Sequence, residues 1–347
     1  MENTATEFDL SKLFDSLPVE TKRGLSEIGI TSVNLEQLSG LDIKRVFEKI
    51  FSLFGENSHT VFTGMSVCLG IMLLCSLTEG VNINLTDKKL NGASNAVATM
   101  CICTGIIIPL CTTVSRAVDI LNGISGFMLL LVPIMAGLII SSGHQVTGAS
   151  YYTIMMTAGN AVSAVSARLV SPLMNVFLAL TITSSLSQRM NLSSLCESVY
   201  KFAKWSLTFV MSVFTAVLSL QTIMTSSMDN VSKKALRFAV SSFVPVVGGA
   251  LGEALNTFNG SVELLKSGAG VFVIIASAFI ILPVALECIV WQFSMFVLSS
   301  AGDIMGLSTM TRIFKSVSKA VAMMTGLLFC VLAVVVISTG IILLIGR

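Results

Sequence analysis

Charged residues are scarce in this sequence. Only 12% of its 347 residues are Asp, Glu, Lys or Arg, against about a quarter in an ordinary soluble domain. Hydrophobic residues make up 54%, and the mean hydropathy is +0.87. So few charges exclude an ordinary soluble globular protein, and the composition predicts an integral membrane protein.

The residues of common catalytic and metal sites are also scarce. The chain has two histidines, and its eight cysteines form no CxxC pair and lie almost all in apolar runs, where small buried thiols are typical. The phosphate-binding G-x-x-x-x-G-K-[ST], H-E-x-x-H and G-x-S-x-G motifs are missing. We therefore expect no enzyme, no metal and no cofactor, and no disulfide framework.

Charge is unevenly distributed along the chain. Residues 1–58 carry ten acidic and six basic residues, whereas the remainder carries nine and fifteen. No Lys/Arg-dense block suggests nucleic-acid binding. We expect residues 1–58 to form a soluble or amphipathic helical region, in which KRVFEKIFSLF (44–54) lies at the membrane surface, on a partner or within a small packed domain. The acidic opening lacks signal-peptide character, so the first span is expected to direct its own insertion.

Apolar runs predict several transmembrane helices, since a hydrocarbon core of about 30 Å needs about 20 apolar residues. Runs of sufficient length cover 59–78, 93–114, 205–224 and 319–345. Shorter or interrupted runs cover 123–142, 150–164, 169–186 and 238–255. The run 268–301 exceeds one crossing and is expected to bend, tilt or turn back near Pro283. The predicted fold is an all-α polytopic membrane bundle, whose orientation the distribution of basic residues does not settle.

An internal repeat is visible when the chain is aligned with itself. LVPIMAG (131–137) matches FVPVVGG (243–249) at an offset of 112, and Pro172 matches Pro283 at an offset of 111. The ordered matches predict a duplication. The resulting division is a first transmembrane helix and loop (59–92), repeat 1 (93–204), repeat 2 (205–319) and a terminal transmembrane helix (320–347).

Proline and glycine in the matched segments predict broken or re-entrant helices that face each other at the repeat interface. Freed backbone groups are costly in lipid, so such elements would be buried in protein or line a wet cavity. Kinked helices that merely pack together explain the pattern equally well. The candidate broken-helix or pore residues are Pro133, Gly137, Pro172, Pro245, Gly248, Gly249, Gly252 and Pro283.

Glu287, in LPVALECIVWQF, is a carboxylate deep inside a long apolar run. An acid within a membrane span is a candidate proton carrier or ion ligand. The alternative places it at an aqueous turn after Pro283. Its repeat counterpart is Val176, so the charge is not duplicated.

The block KKALRFAVSSFVPVVGGALGEALNTFNGSVELLKSGAGVFV (233–273), with the Pro283 run and the terminal span, resembles the stage III sporulation protein AE family of endospore-forming Firmicutes. The resemblance covers nearly the whole chain. It implies a multi-pass protein of the mother-cell membrane around the forespore. It also implies a trans-envelope channel complex with other stage III sporulation A-series proteins and stage II sporulation protein Q, required after engulfment for late forespore gene expression. Family members commonly begin with a cleavable signal segment, which this sequence does not show. The resemblance therefore implies either a true start upstream of Met1 or insertion by the first span, and it leaves the side of residues 1–58 open.

Two other functions fit the residues. The duplicated elements and Glu287 are compatible with a stand-alone secondary transporter or permease. A scaffold that recruits soluble partners through residues 1–58 is the third hypothesis. The resemblance implies no catalytic residues.

Overall fold

The computed structural model describes residues 14–31, 43–82, 88–165 and 248–344, together with short stretches between 172 and 217. These residues contain helices and turns and no strand, which confirms the predicted all-α class. The helices named within them are α1 (Val19–Glu27), α2 (Ile43–Asn82), α3 (Lys88–Ser141), α4 (Gln145–Ala164), α5 (Gly248–Ile304) and α6 (Ser308–Leu344).

Three of the helices that the structure describes carry segments long and apolar enough to cross a membrane. These are Thr99–Ser141 in α3, Gly268–Ile304 in α5 and Ser308–Gly340 in α6. A shorter apolar segment, Val61–Leu77, lies in α2. At about 1.5 Å per residue, α5 is roughly 85 Å long and extends well beyond a hydrocarbon core of about 30 Å. The predicted membrane character is thus confirmed.

Segments that the hydropathy pattern separates are continuous helices. The 40 residues of α2 join the amphipathic stretch 44–54 to the apolar run from residue 59, across the boundary predicted at residue 58. The 54 residues of α3 contain the 93–114 run and all but the last residue of the 123–142 run. Their connection, SRAVDILN (115–122), has neither Gly nor Pro, so nothing in it stops a helix.

Proline does not end the long helices. Pro109 and Pro133 lie inside α3, and Pro283 lies inside α5, so the chain does not turn back at Pro283. Each proline removes one backbone donor, yet a long helix retains its remaining hydrogen bonds on both sides. Of the outcomes expected for the 268–301 run, a turn back at Pro283 is therefore not seen, whereas a bend or a tilt stays a prediction.

Two glycines with positive φ make the turns between helices. Gly143 (φ 82°) follows α3, and Gly306 (φ 76°) follows α5. At the second turn the Leu307 amide donates to the Gly302 carbonyl at 2.9 Å, and the Gly306 amide donates to Asp303 at 3.3 Å. This is the Schellman pattern of helix ends, which uses a left-handed residue and favours glycine. The turns fold α3–α4 and α5–α6 into two helical hairpins.

The central helix of the described bundle is α5, which packs against α1, α2, α3 and α6. Helices α2 and α3 also contact each other, so α2, α3 and α5 form a three-helix group. The largest buried side chains include Trp291, Phe127, Phe272 and Phe314. Burial of such aromatic rings supplies much of the packing area.

The N-terminal region from residue 14 packs on this bundle. The Phe14 ring lies 6.4 Å from the Phe272 ring of α5, between centroids. Leu25 and Ile30 are fully buried. The Glu27 carboxylate of α1 pairs with the Lys49 ammonium of α2. Helix α1 is therefore attached both to α5 and to the amphipathic start of α2.

The two segments matched as repeats have different conformations where both are described. The turn at residues 142–144 separates α3 from α4, but the matching residues 254–256 lie inside α5. Pro245 lies outside the described residues, as do all of residues 218–247. The internal duplication stays a prediction.

Candidate functional site

Glu287 lies near the middle of the apolar segment of α5. It is 2% exposed, although it is the only charged residue between Lys266 and Asp303. Burial of a charged side chain is costly unless hydrogen bonds and an opposite charge compensate it. The position after Pro283 is therefore inside the bundle and is not an aqueous turn.

Two residues of α3 contact the Glu287 carboxylate. The Thr113 hydroxyl donates to Oε1 at 2.7 Å, and the Arg116 guanidinium donates to Oε2. Thr113 and Arg116 are three residues apart, which places them on one face of α3. Both oxygens of the acid are thus hydrogen-bonded, and the ion pair has no net charge.

Trp291 extends this cluster to a third helix. It lies one turn after Glu287, and its indole Nε1 donates to the Thr113 hydroxyl at 3.1 Å. Its Cη2 atom lies 3.7 Å from the position that a Cβ on Gly64 of α2 would take. Trp291 is 1% exposed. That distance is an ordinary van der Waals contact, so the indole ring packs against α2 at Gly64 as well as against α3.

The adjacent face of α5 contacts α6. The Gln292 side-chain amide donates to the Thr325 hydroxyl at 2.8 Å. The same hydroxyl donates to the Val321 carbonyl of its own helix at 2.9 Å. Thr325 lies within the candidate membrane span Ser308–Gly340 of α6. Polar side chains therefore join α5 both to α3 and to α6 within the bundle.

The exposure of the ion pair is asymmetric. The side chain of Glu287 is 3% exposed, whereas that of Arg116 is 42% exposed. The guanidinium thus connects a buried acid to the outer surface of α3. Within the described part of the chain, no three His, Cys, Asp or Glu residues are grouped so as to hold a metal ion. The cluster is suited to joining α3 and α5 through a compensated ion pair whose acid is buried.

Arg116 and Thr113 were not singled out by the sequence pattern. The stretch SRAVD (115–119) lies between the apolar runs 93–114 and 123–142, so neither run includes Arg116. A usable signal was present, because Arg116 is the only basic residue between Lys89 and Arg168. A lone cation in one apolar stretch and the lone acid Glu287 in another are natural partners.

The candidate broken-helix residues are not gathered around Glu287. Pro133 is exposed and Gly137 is half-buried in α3, whereas Pro283 is half-buried in α5, one turn before Glu287. Pro172 is exposed. Gly248, Gly249 and Gly252 lie in the first turns of α5, and Pro245 is outside the described residues. A pore formed by these residues is a prediction that the structure does not test.

Comparison with known proteins identifies the family. Residues 31–346 match the family described as stage III sporulation protein AE. A relative, the stage III sporulation protein AE of Bacillus subtilis (strain 168), is 23% identical over 233 residues, which cover 65% of this chain and 58% of the relative. No solved structure matches the chain. The chain is a member of the stage III sporulation protein AE family.

Proposed function

We propose that this protein is a membrane component of the trans-envelope channel complex between mother cell and forespore. The observation that carries the proposal is the family match over residues 31–346, in a chain whose described core is an apolar helical bundle. In this proposal the protein is multi-pass, lies in the mother-cell membrane and acts after engulfment to sustain late forespore gene expression. Its partners are other stage III sporulation A-series proteins and stage II sporulation protein Q.

The polar cluster supports a structural or conducting role without turnover. Trp291 donates a hydrogen bond to Thr113, and Thr113 donates one to Glu287. The Arg116 guanidinium neutralises the charge of the acid. Such a network fixes how α3 and α5 pack, because leaving any buried member without its partner is costly. A component of a channel complex needs a defined bundle on which the other subunits assemble.

Gene deletion in the native host tests this function. After starvation, engulfment is followed by microscopy together with a late forespore reporter. We expect forespores that complete engulfment and then collapse without reporter signal, and rescue by the wild-type gene. Normal forespore development in the deletion strain would contradict the proposal.

Complementation by variants separates the role of the polar cluster from that of the whole protein. Glu287→Gln is compared with Asp303→Asn, a matched change at an exposed acid of the same helix. We expect the Asp303 variant to rescue fully and the Glu287 variant to rescue poorly, with immunoblots confirming equal protein levels. Equal rescue by both variants would leave the channel role intact and remove the cluster from it.

A stand-alone secondary transporter is the second candidate, because Glu287 lies deep in a candidate membrane span. Intramembrane acids commonly mark proton or ion pathways, and duplicated segments of odd crossing number would support alternating access. Purified protein in liposomes would then move a solute down or against an ion gradient, and Glu287→Gln would abolish the flux. Liposomes that show no flux under any gradient, while the deletion strain fails to sporulate, would exclude this candidate.

The scaffold hypothesis makes a different prediction. If residues 1–58 only recruit soluble partners, deletion of the segment before α2 would abolish complementation. Retained complementation would assign the function to the membrane bundle. The deletion should end before Ile43, because α2 continues without interruption into the apolar segment.

A further inference from the structure

One edge of the bundle carries a row of exposed basic residues. Arg312, Lys315 and Lys319 are exposed on α6. Their spacing of three and four residues places them on one face of the helix, along two turns. Residues 320–344 that follow contain no charged residue. Lys319 is therefore the last cation before a continuous apolar segment.

The length of the apolar segment 320–344 indicates where Arg312, Lys315 and Lys319 lie relative to a bilayer. Twenty-five helical residues extend over roughly 37 Å, slightly more than a hydrocarbon core of about 30 Å. Because α6 cannot place charge inside the core at low cost, Lys319 lies at its boundary. Lys315 and Arg312 then lie one and two turns outside it, at the depth of the lipid headgroups.

A second segment adds cations and aromatic rings to the same edge. The Lys319 ammonium lies 5.9 Å from the centroid of the Tyr200 ring. Lys201 and Lys204 are exposed within the next helical turn, and the exposed Trp205 stacks on Phe209 at 5.5 Å. Tyr and Trp are enriched at membrane–water boundaries, where their rings are apolar and their polar atoms remain hydrated. The aromatic rings support the assignment of this edge to the interface.

The balance of charge at this edge is positive. Residues 197–206 and 303–319 contain five basic residues and two acids, Glu197 and Asp303. The acids pair with Lys201 at 3.4 Å and with Lys315 at 2.9 Å. Arg312 makes no hydrogen bond or ion pair to any residue that the structure describes. The planar guanidinium group can donate two parallel hydrogen bonds to two oxygens of one phosphate group.

We propose that Arg312, Lys315 and Lys319 form a binding site for the phosphate headgroups of anionic phospholipids at this edge of the bundle. The inference rests on the membrane location in the proposed function. It does not depend on the channel complex. Each basic residue at an anionic membrane surface contributes attraction that is screened by salt.

The test uses the full chain, reconstituted in phosphatidylcholine nanodiscs. Brominated phosphatidylglycerol quenches tryptophan fluorescence at short range, and the chain has two tryptophans: exposed Trp205 at this edge and buried Trp291. Brominated phosphatidylcholine is the reference lipid. We expect stronger quenching by the anionic lipid at equal mole fraction, and loss of that preference at high salt.

Variants in which the basic side chains are replaced by glutamine test whether the lipid binds at these three residues. Arg312→Gln/Lys315→Gln/Lys319→Gln should lower the apparent affinity for the anionic lipid roughly fivefold per charge removed. The matched control, Lys22→Gln/Arg23→Gln/Lys44→Gln, removes the same charge near α1 and the start of α2 and should keep the preference. Circular dichroism and melting of both variants verify that they fold. Equal preference in wild type and the α6 variant, or equal loss in the control, would overturn the proposal.

Other results would identify a different ligand. Competition by inorganic phosphate with the potency of the lipid would make this a free-phosphate site and overturn the lipid assignment. A wild-type protein without lipid preference, combined with failed complementation by the α6 variant, would assign the row to an acidic protein partner. Recovery of the chain in the aqueous phase, without detergent, would instead refute the membrane location itself.

Discussion

Glu287 of α5 and Arg116 of α3 form an ion pair whose acid is buried and whose base reaches the surface. The two residues are 171 positions apart in the chain. The Thr113 hydroxyl donates to the other carboxylate oxygen, and the Trp291 indole donates to Thr113. The arrangement differs from that of an isolated intramembrane acid awaiting a proton or an ion, because both carboxylate oxygens already accept hydrogen bonds from protein donors.

The coupling between these two residues is measurable. In a double-mutant cycle with Glu287→Gln and Arg116→Gln, we expect a coupling energy of about 1–3 kcal/mol, because the residues share one buried network. The Glu287 variant keeps the size of the side chain, loses the charge and replaces one acceptor oxygen with an NH2 donor. Reversible unfolding in mixed micelles, followed by circular dichroism, gives the free energies.

A matched exposed pair calibrates this result. Asp303 and Lys315 form an ion pair at 2.9 Å, with both side chains more than half exposed. The cycle with Asp303→Asn and Lys315→Gln should give a coupling below about 1 kcal/mol. Equal coupling in the two cycles would show that burial adds nothing to the Glu287 pair.

Gly302 marks a close contact between helices. A Cβ at this position would overlap the Thr311 hydroxyl of α6 and lie 3.3 Å from the Met72 Cε atom of α2. Thr311 is buried and β-branched, so it has little freedom to move. We expect Gly302→Ala to lower the free energy of unfolding by about 1–3 kcal/mol, as overpacked sites do.

Gly70 of α2 is the matched control. It is exposed, and a Cβ there would have no neighbour within 4 Å. Gly70→Ala should raise stability by roughly 0.5–1 kcal/mol, because alanine reduces the conformational entropy of the unfolded chain. Opposite signs for the two substitutions are the expected outcome, and a neutral Gly302→Ala would refute the close contact.

The Gln292–Thr325 hydrogen bond is expected to make a modest contribution to the free energy of unfolding. Thr325→Val removes the hydroxyl and preserves the shape of the side chain, so it should cost about 0.6 kcal/mol and at most about 1.7 kcal/mol. Thr112→Val is the control, since the exposed Thr112 hydroxyl bonds to the Pro109 carbonyl of its own helix at 2.6 Å. A much larger cost at Thr325 would indicate that this contact carries more of the α5–α6 packing than one neutral hydrogen bond explains.

The attachment of α1 should depend on pH. The hydrogen bond from Lys49, with a further contribution from Arg23, lowers the pKa of Glu27 below its usual value of 4.5. Because the folded pKa is the lower one, the pairing stabilises the attached state above pH 4.5 and is lost as the pH falls through the lowered pKa. Hydrogen-exchange protection factors of residues 19–27, corrected for intrinsic rates, should fall over that range.

Substitution of Lys49 tests whether its pairing with Glu27 causes this pH dependence. Lys49→Gln should flatten the pH dependence of protection in α1. Glu48→Gln is the control, because Glu48 pairs with Lys44 of its own helix at 3.9 Å and does not join α1 to α2. An unchanged pH profile in the Lys49 variant would assign the effect to another acid.

The hydropathy pattern predicted most helical residues of the described part and the acid at the site, but not the lengths of the helices. Composition alone indicated the membrane, and LPVALECIVWQF alone indicated Glu287. The runs 93–114 and 123–142 were separated by hydropathy, although the backbone of SRAVDILN continues the helix. Hydropathy reports the solvent preference of side chains, whereas helix continuity depends on the backbone and on tertiary packing.

The sequence by itself determined the helical class, the membrane character and the family of this protein, because each is carried by composition or by local pattern. Only the tertiary structure decided that Arg116 and Thr113 meet Glu287, that Trp291 packs against Gly64, and that α1 attaches to Lys49. Side-chain partners on different helices depend on crossing geometry and on where small residues permit close approach. That information is distributed over the whole bundle, so no single stretch of the chain contains it.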